Sequence, residues 1–526
     1  MARILVTDRI AEDGIDILRR SAEVEVRLGL PPAELLEAIK GFEAIVVRSE
    51  TKVTAAVIEA GSNLQVVGRA GVGVDNIDVE AATQHGVVVV NAPAAITVAT
   101  AEHTVGMMLA LARHIPAAQA SLKSGAWERS KFVGVELRGK TLGIIGLGRI
   151  GAEVARRARA LEMRLVGLDP FISPERGISL GVELVTKEQL LAESDFITIH
   201  MPLTPGSESV IGEHELKQVK DGVRLINVSR GGQIEETALL AALVAGKVAG
   251  AALDVFTVEP PAPDSPLIAH PKLIATPHLG ASAAEAQERL GVDVANEVLA
   301  VLRGEPALYA VNLPIVGVEA FKQIAPYFQA ASQAAALATQ LSTGQFVSVE
   351  IEYLGELADL DVTPLKSAVI RGLLAPISEE NVTLVNASLI AEQRGLRIAE
   401  RKGPYDGIYK DLIRIHLTTS GGKTSVSGTV AQDGPHIVEI NEFWVDVPPG
   451  EGYLLFCENV DRPGMIGQIG TFLGSKDINV SSMRVGREKV RGRALMVIGT
   501  DDSLDAETLA EIGRIPNIFS ARTARI

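Results

Sequence analysis

From residue 3 to about residue 275, short apolar runs alternate with stretches of helical spacing. RILVT, EVEVRL, AIVVR, QVVG and VVVV each precede a segment whose apolar residues recur at i, i+3 and i+4. Strands alternating with amphipathic helices predict βαβ units and a parallel sheet. A long helical segment at about 99–124 breaks the rhythm, and a second at about 281–303 follows the last apolar run. The first can carry the chain into a second α/β lobe that opens with KTLGIIGLGRIG; the second can carry it back. The expected α/β fold has two Rossmann-like, doubly wound lobes, 1–98 plus 283–314 and 99–282. A ligand cleft is expected between them.

Beyond residue 315 the pattern changes. An Ala/Gln-rich helical stretch at 319–343 leads into a mixed α+β region, 315–451, that ends in PPGEG at 448–452, a linker by composition. The last part, 452–526, has apolar runs at 453–457, 478–485, 493–499 and 518–524, with helical patterns at 463–474 and 505–513. That order, β-α-β-β-α-β, is the ferredoxin-like arrangement.

Composition narrows the function. Hydrophobic residues make up 47% of the chain and aromatics only 4%, so Ala, Val, Leu and Ile must fill the cores. A net charge of −15 argues against nucleic acid or an anionic membrane as partner. Anionic ligands must then be held by local cations. Cys457 is the one cysteine, which excludes an intrachain disulfide and a multi-thiolate metal site, and no metal is expected. MARILVTDRIAEDG lacks the pattern of a signal peptide, and no apolar stretch reaches 18 residues, so the cytoplasm is the expected compartment.

Two groups of residues carry chemistry. GLGRIG at 146–151 lies between the apolar strand TLGII and the helical RIGAEVARRARAL. Gly146 suits a tight turn, Gly148 a close approach to pyrophosphate, and Gly151 close helix-strand packing. Asp169 ends the next strand, RLVGLD, where it can accept from ribose hydroxyls and repel a 2′-phosphate, favouring NAD. The bland alternatives are a ligand-free glycine turn and Asp169 as a turn cap. The second group is Arg230 in INVSRGG, Glu259 in VFTVEPP and His278 in ATPHLGAS, each close behind an apolar run. An arginine fork clamps a carboxylate, an imidazole moves a proton near neutral pH, and a glutamate steadies the imidazolium. Singly, each could be a surface, turn or capping residue. Together, beside a nucleotide turn, they suggest hydride transfer on a hydroxy acid.

GLGRIG, SRGG, VEPP and PHLGAS resemble the D-isomer-specific 2-hydroxyacid dehydrogenases over about residues 1–312. VRSETKVT (47–54), RAGVGVDNID (69–78) and GAWERSKFVGVEL (125–137) resemble the long branch of that family, which oxidises D-3-phosphoglycerate for serine synthesis. ENVDRPGMIGQIGTFLGSKDINVSSM resembles an ACT domain, a regulatory module that binds amino acids, and 317–452 is similar in position and length to that branch's intervening domain.

The resemblance implies roles. Arg230 would bind the substrate carboxylate, His278 would be the acid/base and Glu259 its partner. Arg149 and Ile150 would contact NAD pyrophosphate; Met201, Val228, Ser229, Arg230, Asp254, His278, Gly280 and Ala281 would lie along the cofactor. Arg48, Ser49, Val72 and Gly73 would bind substrate, and Arg129 would reach a neighbouring subunit's site. Asn459, Asp461 and Asn479 would contact a serine effector, and the assembly would be a homotetramer. Ile96 replaces an Asn common in relatives; Met201 and Val72 each replace a Thr. The alternatives are a dehydrogenase for hydroxypyruvate, glyoxylate or 2-hydroxyglutarate, and a non-catalytic NAD-binding regulator.

Overall fold

The computed structural model describes every residue except 203–208, 306, 315–317, 379–380, 449–451 and 526. Most of the predicted PPGEG linker and the boundary expected at 315 therefore lie outside the described residues.

Five parallel strands, β1 (Arg3–Val6), β2 (Glu23–Val26), β3 (Ala44–Val47), β4 (Val66–Arg69) and β5 (Val88–Asn91), form a sheet in the order β2-β1-β3-β4-β5. All of AIVV in β3 is buried, as a strand covered by helices on both faces requires. The second sheet has seven parallel strands: β6 (Thr141–Ile145), β7 (Arg164–Leu168), β8 (Glu183–Leu184), β9 (Phe196–Ile199), β10 (Val223–Asn227), β11 (Val248–Leu253) and β12 (Leu273–Ala275). Their order is β12-β11-β10-β9-β6-β7-β8. The winding reverses between β6 and β9, and a crevice opens at that switch point beyond the carboxyl ends.

The connecting segment is two helices, Thr97–Ala112 and Ile115–Lys123, where one was expected. His114 adopts a left-handed φ of 54°. Pro116 has no N–H for the carbonyl four residues back, so a continuous helix is ruled out. Ile115–Lys123 buries none of its residues within the chain. The helix Ala284–Leu302 returns to the first lobe and places Val294, Val298 and Leu299 among Ile4, Val6, Val46 and Val66. Each such side chain contributes about 1.5–3 kcal/mol by leaving water. Gly14 makes this approach possible, because a Cβ there would lie 2.5 Å from the Gly291 carbonyl oxygen. The chain then runs along β5, where Val311 N–H donates to the Val89 carbonyl at 2.7 Å.

A third sheet combines β13 (Phe346–Gly355), β14 (Arg397–Gly403), β15 (Asp411–Thr419), β16 (Gly422–Ala431), β17 (Gly434–Ile440) and β18 (Phe443–Val447). Only the β13–β14 pair is parallel, in the order β14-β13-β15-β16-β17-β18. The Ala/Gln-rich stretch ahead of it splits at Pro326 into Val318–Ile324 and Tyr327–Leu341. The fourth sheet has β19 (Tyr453–Val460), β20 (Val480–Arg487), β21 (Arg493–Thr500) and β22 (Ile518–Arg525) in the order β20-β21-β19-β22. With helices Met465–Ser475 and Ala506–Gly513 it is ferredoxin-like. Its Leu454, Phe456, Leu495 and Val497 share one apolar cluster with Tyr353, Ile415, Val426 and Phe443 of the third sheet. Among the described residues no helix is long and apolar enough to cross a membrane.

Candidate active site

Three neighbouring strand ends bring the acid/base residues to one place. Registers Asn227↔Leu253 and Leu253↔Ala275 level the carboxyl ends of β10, β11 and β12. Arg230 follows β10, Asp254 and Glu259 follow β11, and His278 follows β12.

His278 Nδ1 lies 2.7 Å from Glu259 Oε2, and Glu259 Oε1 accepts from the Phe256 N–H at 3.0 Å. A carboxylate at this distance suits a proton on Nδ1 and leaves Nε2 able to accept one. The imidazole is half exposed and sits on a left-handed residue, φ 55°. Asp254, wholly buried, fixes that turn: it accepts from Thr276 Oγ1 at 2.6 Å, Leu279 N at 2.7 Å and Gly280 N at 2.8 Å. Burial alone would raise the Asp254 pKa, but His103, Thr276 and the Leu279 N–H outweigh it and hold the carboxyl below its ordinary value.

Arg230 reaches across the cleft. Its Nη1 donates to the Ser229 carbonyl at 2.7 Å, and its Nε is 3.2 Å from Asp75 Oδ2 in the first lobe. A Cβ at Gly73 would lie 1.8 Å from Arg230 Nη2, so any side chain there would push the guanidinium out of this position. Asn227 holds the SRGG loop, donating to the Arg230 carbonyl at 2.8 Å and accepting from Ser229 N at 3.0 Å. Gln233 links Ser229 Oγ to the Met201 carbonyl.

In the first lobe, buried Asp8 accepts the N–H of Arg48 at 2.6 Å and of Thr51 at 3.1 Å. Asn76 donates to the carbonyls of Arg48 and Thr51, at 2.7 and 2.6 Å. Arg48 and exposed Ser49 thus sit on a pinned loop at the β1–β3 switch point. Val72 is fixed by its carbonyl, which accepts from Asn91 at 2.6 Å. Arg69, at the end of β4, is a residue the sequence reading missed. Burial and the neighbouring charges of Arg230 and Arg48 push its pKa down to about 10, and its buried Nε has no hydrogen-bond partner among the described residues. Asp8, Asn227 and Gln233 were missed too. The available signals were an arginine closing VVGRAG and polar residues directly behind apolar runs.

The nucleotide residues gather at the β6–β9 switch point around a cavity of about 1080 Å³ lined by Gly146, Gly148, Asp169, Phe171, His200 and Met201. Gly146 has φ 90°, and a Cβ there would lie 2.7 Å from the His200 carbonyl oxygen. Gly148 faces open space, and a Cβ on Gly151 would lie 2.0 Å from the Gly146 carbonyl oxygen. Arg149 and Ile150 open the helix Arg149–Ala160, whose first turn carries no acid and no side-chain cap. Its free N–H groups and positive dipole end suit a pyrophosphate. Asp169 accepts from Leu147 N at 2.8 Å and Phe171 N at 2.9 Å, and keeps lone pairs for a ribose. His200 is pushed down to about 3 by burial and stays neutral. Val228, Asp254 and Gly280 also meet, since a Cβ on Gly280 would lie 3.0 Å from Val228 and 3.3 Å from the Asp254 carboxylate. Ala281 is tied by its carbonyl to Gln287 at 2.6 Å. These residues fit a dinucleotide.

Ile96 packs beside Ala92, Ala95 and Leu290, as an apolar side chain must. Arg129 starts an exposed single-turn 3-10 helix, Arg129–Phe132. The expected effector residues do not meet within the chain. Strands β19 and β20 flank β21 and run parallel, so Asn459 and Asp461 lie at the Arg493 end while Asn479 lies at the Thr500 end. Seven residue steps along β21 separate those ends by about 23 Å. Asn459 is buried, Asp461 accepts from Arg491 N at 3.0 Å, and Asn479 donates to Asp501 at 2.7 Å.

Residues 105–280 match the NAD-binding domain of the D-isomer specific 2-hydroxyacid dehydrogenases, which defines the class as an NAD-dependent dehydrogenase. Residues 323–441 match the D-3-phosphoglycerate dehydrogenase intervening domain, and residues 453–517 an ACT domain. D-3-phosphoglycerate dehydrogenase of Synechocystis is 44% identical, covering 100% of this chain and 95% of the relative. The Methanocaldococcus jannaschii enzyme of that name is 45% identical, covering 98% of each. A glyoxylate reductase structure from Paecilomyes thermophila superposes with a TM-score of 0.55 at 31% identity, over 59% of this chain and 98% of that one. The chain belongs to the D-3-phosphoglycerate dehydrogenase family.

Proposed function

We propose that the protein oxidises D-3-phosphoglycerate to 3-phosphohydroxypyruvate, the entry to phosphorylated serine synthesis. The observation that carries this is the convergence of Arg48, Arg69 and Arg230 on one cleft, with Arg230 on the same row of strand ends as the His278–Glu259 pair. A substrate with a carboxylate at one end and a phosphate at the other needs separate cationic sites, and a simple hydroxy acid needs one. Arg230, with the 72–73 backbone packed against it, clamps the carboxylate and the hydroxyl oxygen; Arg48 and Arg69, with Ser49, take the phosphate. His278 Nε2 accepts the hydroxyl proton, and Glu259 stabilises the imidazolium that forms. NAD, when bound, supplies the hydride acceptor. Asp254 acts through the turn it holds, keeping the imidazole aimed.

NADH formation should be measured with D-3-phosphoglycerate, D-lactate, D-glycerate and D-2-hydroxyglutarate. The phosphorylated acid should give the highest kcat/KM; turnover of an unphosphorylated acid at equal or higher kcat/KM would overturn the assignment. His278→Asn should lower kcat at least 100-fold, and full turnover in that variant would remove His278 as the base.

We also propose a homotetramer, supported by the helix Ile115–Lys123, which has no buried residue, and by exposed Trp127 and Val133 beside it. Serine inhibition is supported by the ACT domain. Because Asn479 and Asp461 lie at opposite ends of the sheet, one effector site must draw on two copies. Size measurement with and without serine, and inhibition of Asn479→Ala, test both readings.

A further inference from the structure

Arg149, the first residue of the helix behind the glycine turn, has its guanidinium 5.3 Å from the centre of the Tyr309 ring. Tyr309 belongs to the other lobe. Its N–H donates to Glu297 Oε2 at 3.0 Å, and its carbonyl accepts the Asn91 N–H at 3.2 Å. Ala310, next in the chain, bridges to Val90 of β5. The ring therefore projects from backbone that the first lobe pins on both sides. The arginine is placed by the second lobe, at the helix end whose free N–H groups suit an anion.

We propose that Tyr309 is a positioning residue of the cofactor site, contributed across the cleft: its ring stacks on Arg149 and presents that guanidinium to the pyrophosphate of NAD. This rests on the NAD reading of the GLGRIG turn and extends it to a residue outside the nucleotide lobe. An exposed arginine at a helix start otherwise samples many rotamers, and a flat aromatic face selects a few of them while leaving the guanidinium edge free to donate. The stack also ties the position of the first lobe to the nucleotide site. A cofactor that orders Arg149 is thereby favoured when the lobes stand as they do here.

The test is equilibrium binding of NADH, followed by its fluorescence, to the full chain, with ADP-ribose and adenosine as competitors. Tyr309→Ala and Tyr309→Leu should each raise the dissociation constants for NADH and ADP-ribose about three- to fivefold, while Tyr309→Phe stays within about twofold of wild type. Adenosine, which lacks the pyrophosphate, should bind all of them alike. In an Arg149→Ala background, Tyr309→Ala should add almost nothing. Wild-type NADH affinity in Tyr309→Ala, with Arg149→Ala weakened, would overturn the proposal and leave the cofactor reading intact. A loss in Tyr309→Phe equal to that in Tyr309→Ala would overturn it as well, because the hydroxyl and not the ring would then matter. Unchanged affinity in Arg149→Ala would strike the reading of Arg149 itself.

Discussion

The two α/β lobes share an architecture and differ at one turn. Both begin with a central parallel strand, β1 or β6, that leads into a helix at a switch point. After β6 come Gly146 and Gly148, open backbone and a helix whose first turn has no acid. After β1 come Thr7 and buried Asp8, and the helix Glu12–Arg19 opens with Glu12 and Asp13. Acids at a helix N-terminus occupy the positive dipole end that an anion would otherwise use. Asp8 instead spends its lone pairs on the loop that carries Arg48. One turn leaves free N–H groups and a positive dipole end open to an anion; the other uses a carboxylate to pin the loop that carries Arg48. The difference teaches that the fold offers two equivalent crevices and the turn residues decide what each binds.

That contrast can be broken at several points. Gly146→Val places a side chain on a φ of 90° and against the His200 carbonyl. Strain and clash together should weaken NADH binding by about 100-fold or more, read by fluorescence titration with circular dichroism as the fold control; near-native affinity would show the turn is no cofactor cradle. Asp169→Ser removes the negative charge beside the ribose site. It should shift preference toward NADP by about tenfold or more, and unaltered NADH/NADPH dissociation constants would remove Asp169 as the discriminator. Asp8→Asn turns an acceptor of two backbone N–H groups into a side chain with a competing donor. The KM for the phosphorylated acid should rise about fivefold with NADH affinity unchanged, and equal loss of both would mean the two crevices are not independent.

The smallest effect serves as a control outside both lobes. His436 lies between Asp433, at 2.9 Å, and Asp446, at 2.7 Å. Burial would lower its pKa, but the two carboxylates outweigh burial and raise it. A raised folded pKa contributes stability that is full below the unfolded value and is lost as pH rises through the folded one. His436→Gln should therefore lower Tm by about 2–4 °C in mildly acidic buffer, with the gap closing at alkaline pH and NADH affinity unaffected. A gap independent of pH would sink the ion-pair account.

Much of this was legible in the chain. Short apolar runs and period-3.6 patterns located most strands of both lobes, and GLGRIG, SRGG, VEPP and PHLGAS located the chemistry, because glycines and strand-end polar residues follow local rules. What local rules could not reach were the partners across the fold. Arg69 looked like the end of a strand until packing set it beside Arg48 and Arg230. The helix expected at 99–124 broke at His114, and the three effector candidates were separated by a strand order that no local pattern reveals.

The sequence by itself determined the reaction class, the NAD-type turn and the Arg230–Glu259–His278 set, since each needs a particular residue type just behind a strand. The tertiary structure decided what holds Arg230 and His278 in place, that Arg69 joins Arg48 and Arg230, and that Tyr309 meets Arg149. Those depend on contacts between residues far apart in the chain, where burial and geometry, not local preference, set the outcome.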